Sequence, residues 1–540
     1  MIESLEYAKM FARFPFALRR FLKQRMTLED AKRIVRERME QRSANLLLTV
    51  TRGVYDNPKS PYLPLLKNAG CEKSDFCALV TKKGVEPALR QLRDSGVYVT
   101  FEEFKGRKPI ERNGLTIPTK ASDFDNPRTH RDLMSQTGGS TGAAAKVSVD
   151  LDYIAARASQ RMVAFAAHDL IGVPSSIWRG ILPDTTFGQL LLCALTDTLP
   201  TRWFSPIGLR DSKHWLKYGA GSYYLIACMR AAGIRVPLPE FVPVDEALTI
   251  AQWGASMAKK HGRVLMRGGT SRATRVAIAA HEAGLDLRGV TFMGAGEPAT
   301  DGKLRQIESV GAHFISNYGM SDAGAPGVGC AKRVGVSDYH LLTDAFALFA
   351  YPHRVEAFGL TVPAFTLTTL LPISPKVLLN LETDDFGIVE ERNCGCELES
   401  YGYTTHLREV RSYSKLTGEG VTLIGDEMIH ILETTLPARF GGTSFDYQLM
   451  EDEDDKGLTR LYLIVSPRIK LDAEHAVVEC VLNALGHASP AADVARLVWQ
   501  NAQTLQVRRM EPVWTERQKF SPLYMPRRFR NSSPLPVGKP

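Results

Sequence analysis

Two groups of residues in this chain have types and spacings that could do chemistry. The first is Thr137, Gly138, Gly139, Ser140, Thr141 and Gly142, preceded by Ser135 and Gln136 and followed by three alanines and Lys146. Glycines and small hydroxyl residues at this density make poor helix or strand, but they let backbone N–H groups approach an anion with no Cβ in the way. Ser140 and Thr141 can add hydroxyl donors, and Lys146 a cation. The stretch lacks the Gly-Lys-Ser/Thr ending of a P-loop, and a flexible linker is the competing reading. The second group is Cys330, His340, Cys394 and Cys396. Three thiolates and an imidazole complete a tetrahedral zinc shell with no open position, so a zinc there would be structural. Reduced free cysteines beside a surface histidine are the alternative. Cys71, Cys77, Cys193, Cys228 and Cys480 are scattered, several in apolar runs, and read as small core residues.

Elements must hold these groups in place. A leading region is expected to be largely helical, with Thr27 capping a helix through Asp30 and Ala31, Ile34, Val35 and Met39 at helical spacing. A helix over 85–92 leads into 96–101, whose alternation suggests a strand. Beyond the glycine stretch, helices (154–170, 222–232, 275–283) alternate with apolar strands (263–266, 289–293, 312–316), the pattern of an α/β sheet. Each of these strands ends in a glycine-containing segment: Gly268-Gly269, then Gly294 to Pro298, then Asn317 to Asp322. Ligands of α/β sheets gather at such strand ends, so three of them strengthen a nucleotide-site reading. After residue 411 a compact α+β unit is expected, with a helix over 427–435, an acidic turn at 451–455, a helix over 475–485 and a strand near 505–508. Residues 526–540 are basic and Pro-rich, the composition of a disordered tail.

Composition bounds the alternatives. A chain of 540 residues with 44% hydrophobic content exceeds what one core usually supports. No run reaches the length of roughly 18 apolar residues that a membrane helix needs, and the acidic start does not resemble a signal peptide; a cytoplasmic location is expected. There, eight cysteines argue against a disulfide framework. Net charge is +8, partly gathered at the ends, where Arg13, Arg19 and Arg20 interleave with Phe14, Phe16 and Phe21. Such mixing can serve nucleic acid or a membrane surface. It is also what a solvated helix face looks like, and no nucleic-acid partner is expected.

Taken in order, the motifs resemble the adenylate-forming superfamily of AMP-forming acyl and aryl ligases, closest to its phenylacetate–coenzyme A ligase branch, over residues 96–519. The resemblance implies an α/β fold: a large N-terminal adenylating domain (1–411, with 1–128 its helical leading part) of β-sheets flanked by helices, and a small C-terminal α+β lid domain (412–525). It implies that a carboxylic acid reacts with ATP to give acyl-AMP and pyrophosphate, the acyl group then passing to a thiol. Coenzyme A is the default acceptor, a carrier protein or an amine being possible, and a non-catalytic nucleotide-binding descendant is the alternative. By the same match, Thr137 to Gly142 form the phosphate loop, with Lys146 one position late for its usual lysine. Gly294, Gly296, Glu297 and Pro298 belong to the segment whose backbone lies against adenine. Asn317, Tyr318, Gly319, Ser321 and Asp322 match the next block, where Tyr318 would stack on adenine, Ser321 touch a phosphate and Asp322 hold Mg²⁺. Asp385 would accept the ribose hydroxyls, although Asp384 stands where glycine is usual. Arg411 opens the link to the small domain, and Tyr413 replaces the acidic hinge residue. Lys519 or, less in keeping with a folded element, Lys539 would be the small domain's catalytic lysine. Members of this branch carry a Cys/His cluster like the one at Cys330, His340, Cys394 and Cys396. The acid pocket is expected along 182–188 and at Gly294, Gly319 and Met320; Phe187 and Met320 suggest an apolar or aromatic acid. The homodimer is one open oligomeric state.

Overall fold

The structure, a computed structural model, describes residues 2–524 other than 131, 137–145, 209–214, 321, 356–359, 413–416, 419–420, 423–425, 489–495, 497–498, 515–519 and 521. Its centre is a twelve-stranded sheet. In chain order the strands are β1 (Ser175–Trp178), β2 (Arg202–Ser205), β3 (Pro239–Phe241), β4 (Val264–Gly269), β5 (Val290–Ala295), β6 (His313–Met320), β7 (Gly324–Gly329), β8 (Asp338–Leu341), β9 (Phe346–Val355), β10 (Leu360–Thr369), β11 (Leu381–Glu391) and β12 (Thr405–Ser412). Their spatial order is β9-β10-β11-β12-β8-β7-β6-β5-β4-β1-β2-β3. From β3 to β6 every pairing is parallel. From β6 to β9 every pairing is antiparallel.

The parallel half is covered on both faces, so consecutive residues are buried along β1, along Trp203–Ser205 of β2 and along Val264–Arg267 of β4. Adjacent residues serve opposite faces. Ile177 and Trp203 pack with helix α3 (Thr186–Leu195) and the helix Trp215–Ala231. Trp178 and Phe204 pack with α4 (Ala247–His261) and α5 (Thr270–Glu282). On the first face lie α1 (Leu151–Ala156), capped by Asp150, and α2 (Ala158–Ala167). These take the place of the single helix expected over 154–170, with Arg157 at the break. The antiparallel half packs against the leading helices, where Ala31 and Val35 are fully buried and the expected Thr27–Asp30 capping box is present.

Two further expectations are corrected. Residues 96–101 do not form a strand beyond a single bridge from Val99 to Leu381, because Thr100 and Glu103 form a capping box that opens the helix Phe101–Phe104. Glu451, Asp452 and Glu453 lie in the strand Tyr447–Glu453 rather than in the turn, with Asp452 opposite Arg460. The turn is made by Asp454, whose carboxylate accepts the Lys456 and Leu458 N–H groups, and by Gly457 at φ +76°.

The smaller C-terminal unit has a four-stranded sheet, with Tyr447–Glu453 and Thr459–Val465 central and Leu505–Arg509 and Leu523–Tyr524 at the edges. Its own core gathers Leu449, Leu463, Val481 and Trp499, with Ile207 reaching in from the large unit. The expected helix over 427–435 continues through a wider π turn to Phe440. Among the described residues no helix is long and apolar enough to cross a membrane.

Candidate functional site

The glycine-containing ends of β4, β5 and β6 meet at one cavity of about 590 Å³. Gly268, Ala295, Gly296 and the run Asn317–Met320 line it at the carboxyl ends of the parallel strands, and Asp322 stands at the same end. Opposite them lie Tyr153, Arg157 and Gln160 from the α1–α2 region, Gln189 of α3, and Lys376. Gly296 turns out of β5 with φ +89°, a conformation that a side chain would strain. Gly294 has a different duty: a Cβ there would meet the Phe314 ring at 2.7 Å and Thr270 Oγ1 at 2.9 Å, so its smallness serves packing, and it does not line the cavity.

Glu297 turns away from the cavity. Its carboxylate accepts the Ser271 N–H (2.6 Å) and hydroxyl (2.7 Å), which begin α5, and pairs with Lys303 Nζ at 3.0 Å. Lys303 also donates to Thr459 Oγ1 of the C-terminal unit at 2.8 Å. This buried chain ties the segment after β5 to the helix Asp301–Ser309 and to the smaller unit. Pro298 follows, half-buried and away from the cavity.

Tyr318 was expected beyond a strand end; it lies inside β6, 7% exposed, with its ring near Tyr339 and Phe365. It is both a core aromatic and part of the cavity wall. Gly319 and Met320 line the same wall, and the Asn317 side chain accepts the Gly329 N–H across the β6–β7 pair. The Tyr318 hydroxyl donates to Asp385 at 2.8 Å, placing that carboxylate behind the ring. Burial, and next the Asp385 charge, push the Tyr318 phenol well above its ordinary range. Asp384 is fully buried and accepts the Ser412 hydroxyl at 3.3 Å; Asp385 bonds the wall residue Tyr318, and neither aspartate itself lines the cavity. Arg411 sits across from Phe386 on β12 and is not a lining residue.

The Asp322 carboxylate receives Lys105 Nζ at 2.8 Å, and both side chains are largely buried. No local pattern marks Lys105, because the pair spans 217 positions; its ammonium also lies over the rings of Phe101 and Phe104. The stretch 182–188 contributes Thr185 and Gly188 to the cavity, but Phe187 packs into the core against Trp203 and is not on the wall. Arg161 and Arg267, which no sequence motif singled out, are on it. Thr137, Gly138, Gly139, Ser140, Thr141, Gly142, Ser321, Tyr413, Lys519 and Lys539 lie outside the described residues. The strands flanking the glycine stretch, Leu133–Gln136 and Lys146–Val149, pair antiparallel with Gln136 opposite Lys146.

The cysteine cluster is brought together as expected. One ligand atom from each of Cys330, His340, Cys394 and Cys396 lies within 4.8 Å of all the others. His340 Nδ1 meets the Tyr403 carbonyl at 2.6 Å, which makes it the N–H and leaves Nε2 as an acceptor. Nε2 stands 3.1 Å from Cys396 Sγ and 3.6 Å from Cys394 Sγ. Ligands held on zinc at about 2.3 Å from sulfur and 2.0 Å from nitrogen have separations of this order. The Cys330 thiol, then His340, hold the Cys396 thiol well below its ordinary range against its burial. Behind the cluster, His406 lies 4.1 Å from the His340 ring and meets Asp338 at 2.7 Å, and Arg392 pairs with the same carboxylate.

No protein-family model and no curated protein sequence matches the chain. Among solved structures it is similar to a 2-hydroxyisobutyryl-CoA ligase in its postadenylation state, with 13% identity over 94% of this chain and 92% of that one and a TM-score of 0.42. It is also similar to the amide bond synthetase McbA from Marinactinospora thermotolerans (14% identity, 89% and 92% covered, TM-score 0.40). A third is the acetoacetyl-CoA synthetase from Streptomyces lividans (13% identity, 75% and 55% covered, TM-score 0.34). Likenesses of this grade leave the chemistry to be read from the residues.

Proposed function

We propose that the protein is an ATP-dependent, AMP-forming carboxylate ligase. The observation that carries this reading is the meeting of Gly268, Gly296, the Asn317–Met320 run and Asp322 at one cavity, at the carboxyl ends of three adjacent parallel strands. Carboxylate and α-phosphate are both anionic and must be brought together with their charge neutralised. Asp322 would hold Mg²⁺, which supplies that neutralisation when bound. Tyr318 forms the adenine-facing wall, and Asp385, oriented by the Tyr318 hydroxyl, takes the ribose. The stretch 137–142 cradles the phosphates, and Ser321 adds a phosphate contact. The small domain over 412–525 brings Lys519 to the reacting carboxylate, and coenzyme A accepts the acyl group. Cys330, His340, Cys394 and Cys396 hold a structural zinc that pins the β7–β8 connection to the turn after β11, the strand that carries Asp385. A phenylacetate–coenzyme A ligase-like enzyme is the subtype these motifs resemble.

The ion pair of Lys105 with Asp322 favours one competing reading, a nucleotide-binding protein that does no adenylation, because the metal-binding carboxylate is already neutralised. Pyrophosphate release with a panel of carboxylic acids, ATP and Mg²⁺ decides between them. The ligase releases pyrophosphate with its acid, loses this with Asp322→Ala, and falls by about 10²–10³-fold with Lys519→Ala, the scale of one lost transition-state charge partner. ATP binding with no pyrophosphate from any acid overturns the ligase reading. Lys105→Met frees Asp322 and lowers the Mg²⁺ concentration needed for half-maximal activity. An unchanged Mg²⁺ requirement means that the ion pair does not compete with the metal.

A further inference from the structure

The inner part of the cavity is charged where a pocket for a plain aromatic or aliphatic acid would be apolar. Its floor is one lateral row across four neighbouring parallel strands: Ile177, Arg267, Met293 and Ile315 are register partners in turn. Their side chains therefore share a face of the sheet. Over this face lies α2, with Arg161 on its first turn and Arg157 four positions earlier, on the same side. Arg157, Arg161 and Arg267 all line the cavity, and among the described residues none of the three forms an ion pair with a carboxylate.

What holds them instead is neutral or weakly acidic. Arg267, 8% exposed, donates to Cys193 Sγ (2.9 Å), Ser175 Oγ (3.2 Å) and the Thr198 carbonyl (3.3 Å). Arg161 donates to Gln189 Oε1 at 3.2 Å and lies over the Phe165 ring. The Nε–H of each is shut off from solvent and has no acceptor among the described residues. A spare Nε–H alone is not distinctive, since Arg112, Arg392 and Arg408 keep one while paired with carboxylates. Arg161 and Arg267 combine it with the lack of a carboxylate partner, which leaves their charge open to an anionic occupant. Burial, and then the charges of Arg267 and Arg157 against an opposing contribution from Cys193, bring Arg161 down to about 10. Burial pushes the Cys193 thiol up, yet Arg161 and Arg267 bring it below its ordinary value. Of the aspartates on the cavity wall, Asp125 pairs with Lys376, Asp322 with Lys105, and Asp150 accepts the N–H groups that begin α1. The groups that bond Arg161 and Arg267 supply at most the one negative charge of an ionised Cys193.

We propose that the acid taken by this cavity carries a second anionic group, remote from the carboxylate that is activated, and that Arg161, Arg267 and Arg157 receive it. The inference rests on the ligase reading for the carboxylate that reacts, but the anion pocket itself can be tested without turnover. Arg–carboxylate and Arg–sulfonate contacts are charge-assisted and fork-shaped, which suits a terminal carboxylate or sulfonate. Ile177, Phe165, Met293 and Ile315 offer apolar contact to the segment between the two ends.

The test uses matched probes on the full chain: adipate against hexanoate, and isophthalate and m-sulfobenzoate against benzoate. Pyrophosphate release and isothermal titration are both recorded, with wild type, Arg161→Gln, Arg161→Lys and Arg267→Met. The expected result is tighter binding and lower KM for a dianionic probe than for its monoanionic partner. Arg161→Gln should raise that KM by about 10- to 100-fold, the cost of one lost charged hydrogen bond, while Arg161→Lys restores part of it and KM for ATP is unchanged. If Arg267→Met fails to fold, the Arg161 pair carries the comparison alone. Saturable dianion binding that Arg161→Gln weakens, with no pyrophosphate from any probe or from any acid of the wider panel, supports the anion pocket and removes the ligase reading. Pyrophosphate released with monoanionic probes at least as well as with dianionic ones overturns the inference and leaves the ligase reading standing. It is also overturned if no dianionic probe binds saturably, or if the arginine changes act on ATP affinity alone.

Discussion

Glu297 is the one acidic residue in the segment assigned to adenine, and its surroundings predict a role in stability. Its side chain and that of Lys303 are 1% and 2% exposed, and their charged groups lie 3.0 Å apart. Ser271 supplies two donors to the carboxylate, and Thr459 accepts from the ammonium. Lys303→Met would leave a buried carboxylate satisfied only by Ser271, and breaking a buried pair from one side costs about 3–5 kcal/mol. Thr459→Val removes one acceptor and costs about 1–2 kcal/mol. In the double variant Glu297→Gln/Lys303→Met no charge remains, and the new side-chain amide oxygen still accepts the Ser271 N–H. That variant should therefore be more stable than Lys303→Met alone. Urea denaturation followed by fluorescence, at a temperature where every variant is folded without urea, gives the comparison. ATP affinity should stay near the parent's in the double variant, because the side chain does not face the cavity. Additive losses in the double variant, or a cost below about 1 kcal/mol for Lys303→Met, would refute the buried-pair account.

Three further outcomes are expected. Purified protein contains about one zinc per chain, and Cys394→Ser loses metal and thermal stability together; full occupancy in a Cys394/Cys396 double serine variant ends that assignment. Tyr318→Phe removes the hydroxyl that orients Asp385, and Tyr318→Ala removes the ring as well, so nucleotide titrations should show a small loss for the first and about 1–3 kcal/mol for the second; equal affinities in both would break the link to adenine. Asp338 is held at about 2 against an ordinary 3.8, because His406, Arg392 and the Val334 N–H outweigh the upward push of burial. A depressed carboxylate stabilises the folded chain above its ordinary value and loses that contribution as pH falls through about 4 to 2, here on the order of 2 kcal/mol. The gap in urea midpoint between parent and Asp338→Asn should close over that window, and a gap independent of pH would contradict it.

The residues that sequence reading placed well are those whose signal is local. The Thr27–Asp30 box, the apolar runs of β4, β5 and β6 and the glycines that end them follow from backbone chemistry within a few positions, and the fold keeps them. Cys330, His340, Cys394 and Cys396 were legible because few side chains bind soft metals, so their types alone invited grouping. What only the tertiary structure decided lies in pairs far apart in the chain. Lys105 meets Asp322 because the end of a short helix packs beside the end of β6. Phe187 went to the core, and Arg161 and Arg267 to the cavity, because the face a residue presents depends on helix phase and strand register; a shift of one position in a strand reverses it. The row from Ile177 through Arg267 and Met293 to Ile315 exists only once four strands are aligned, and no window along the chain contains it. Backbone preference is written residue by residue, whereas the charge of a cavity is set by which distant side chains the register brings to one face.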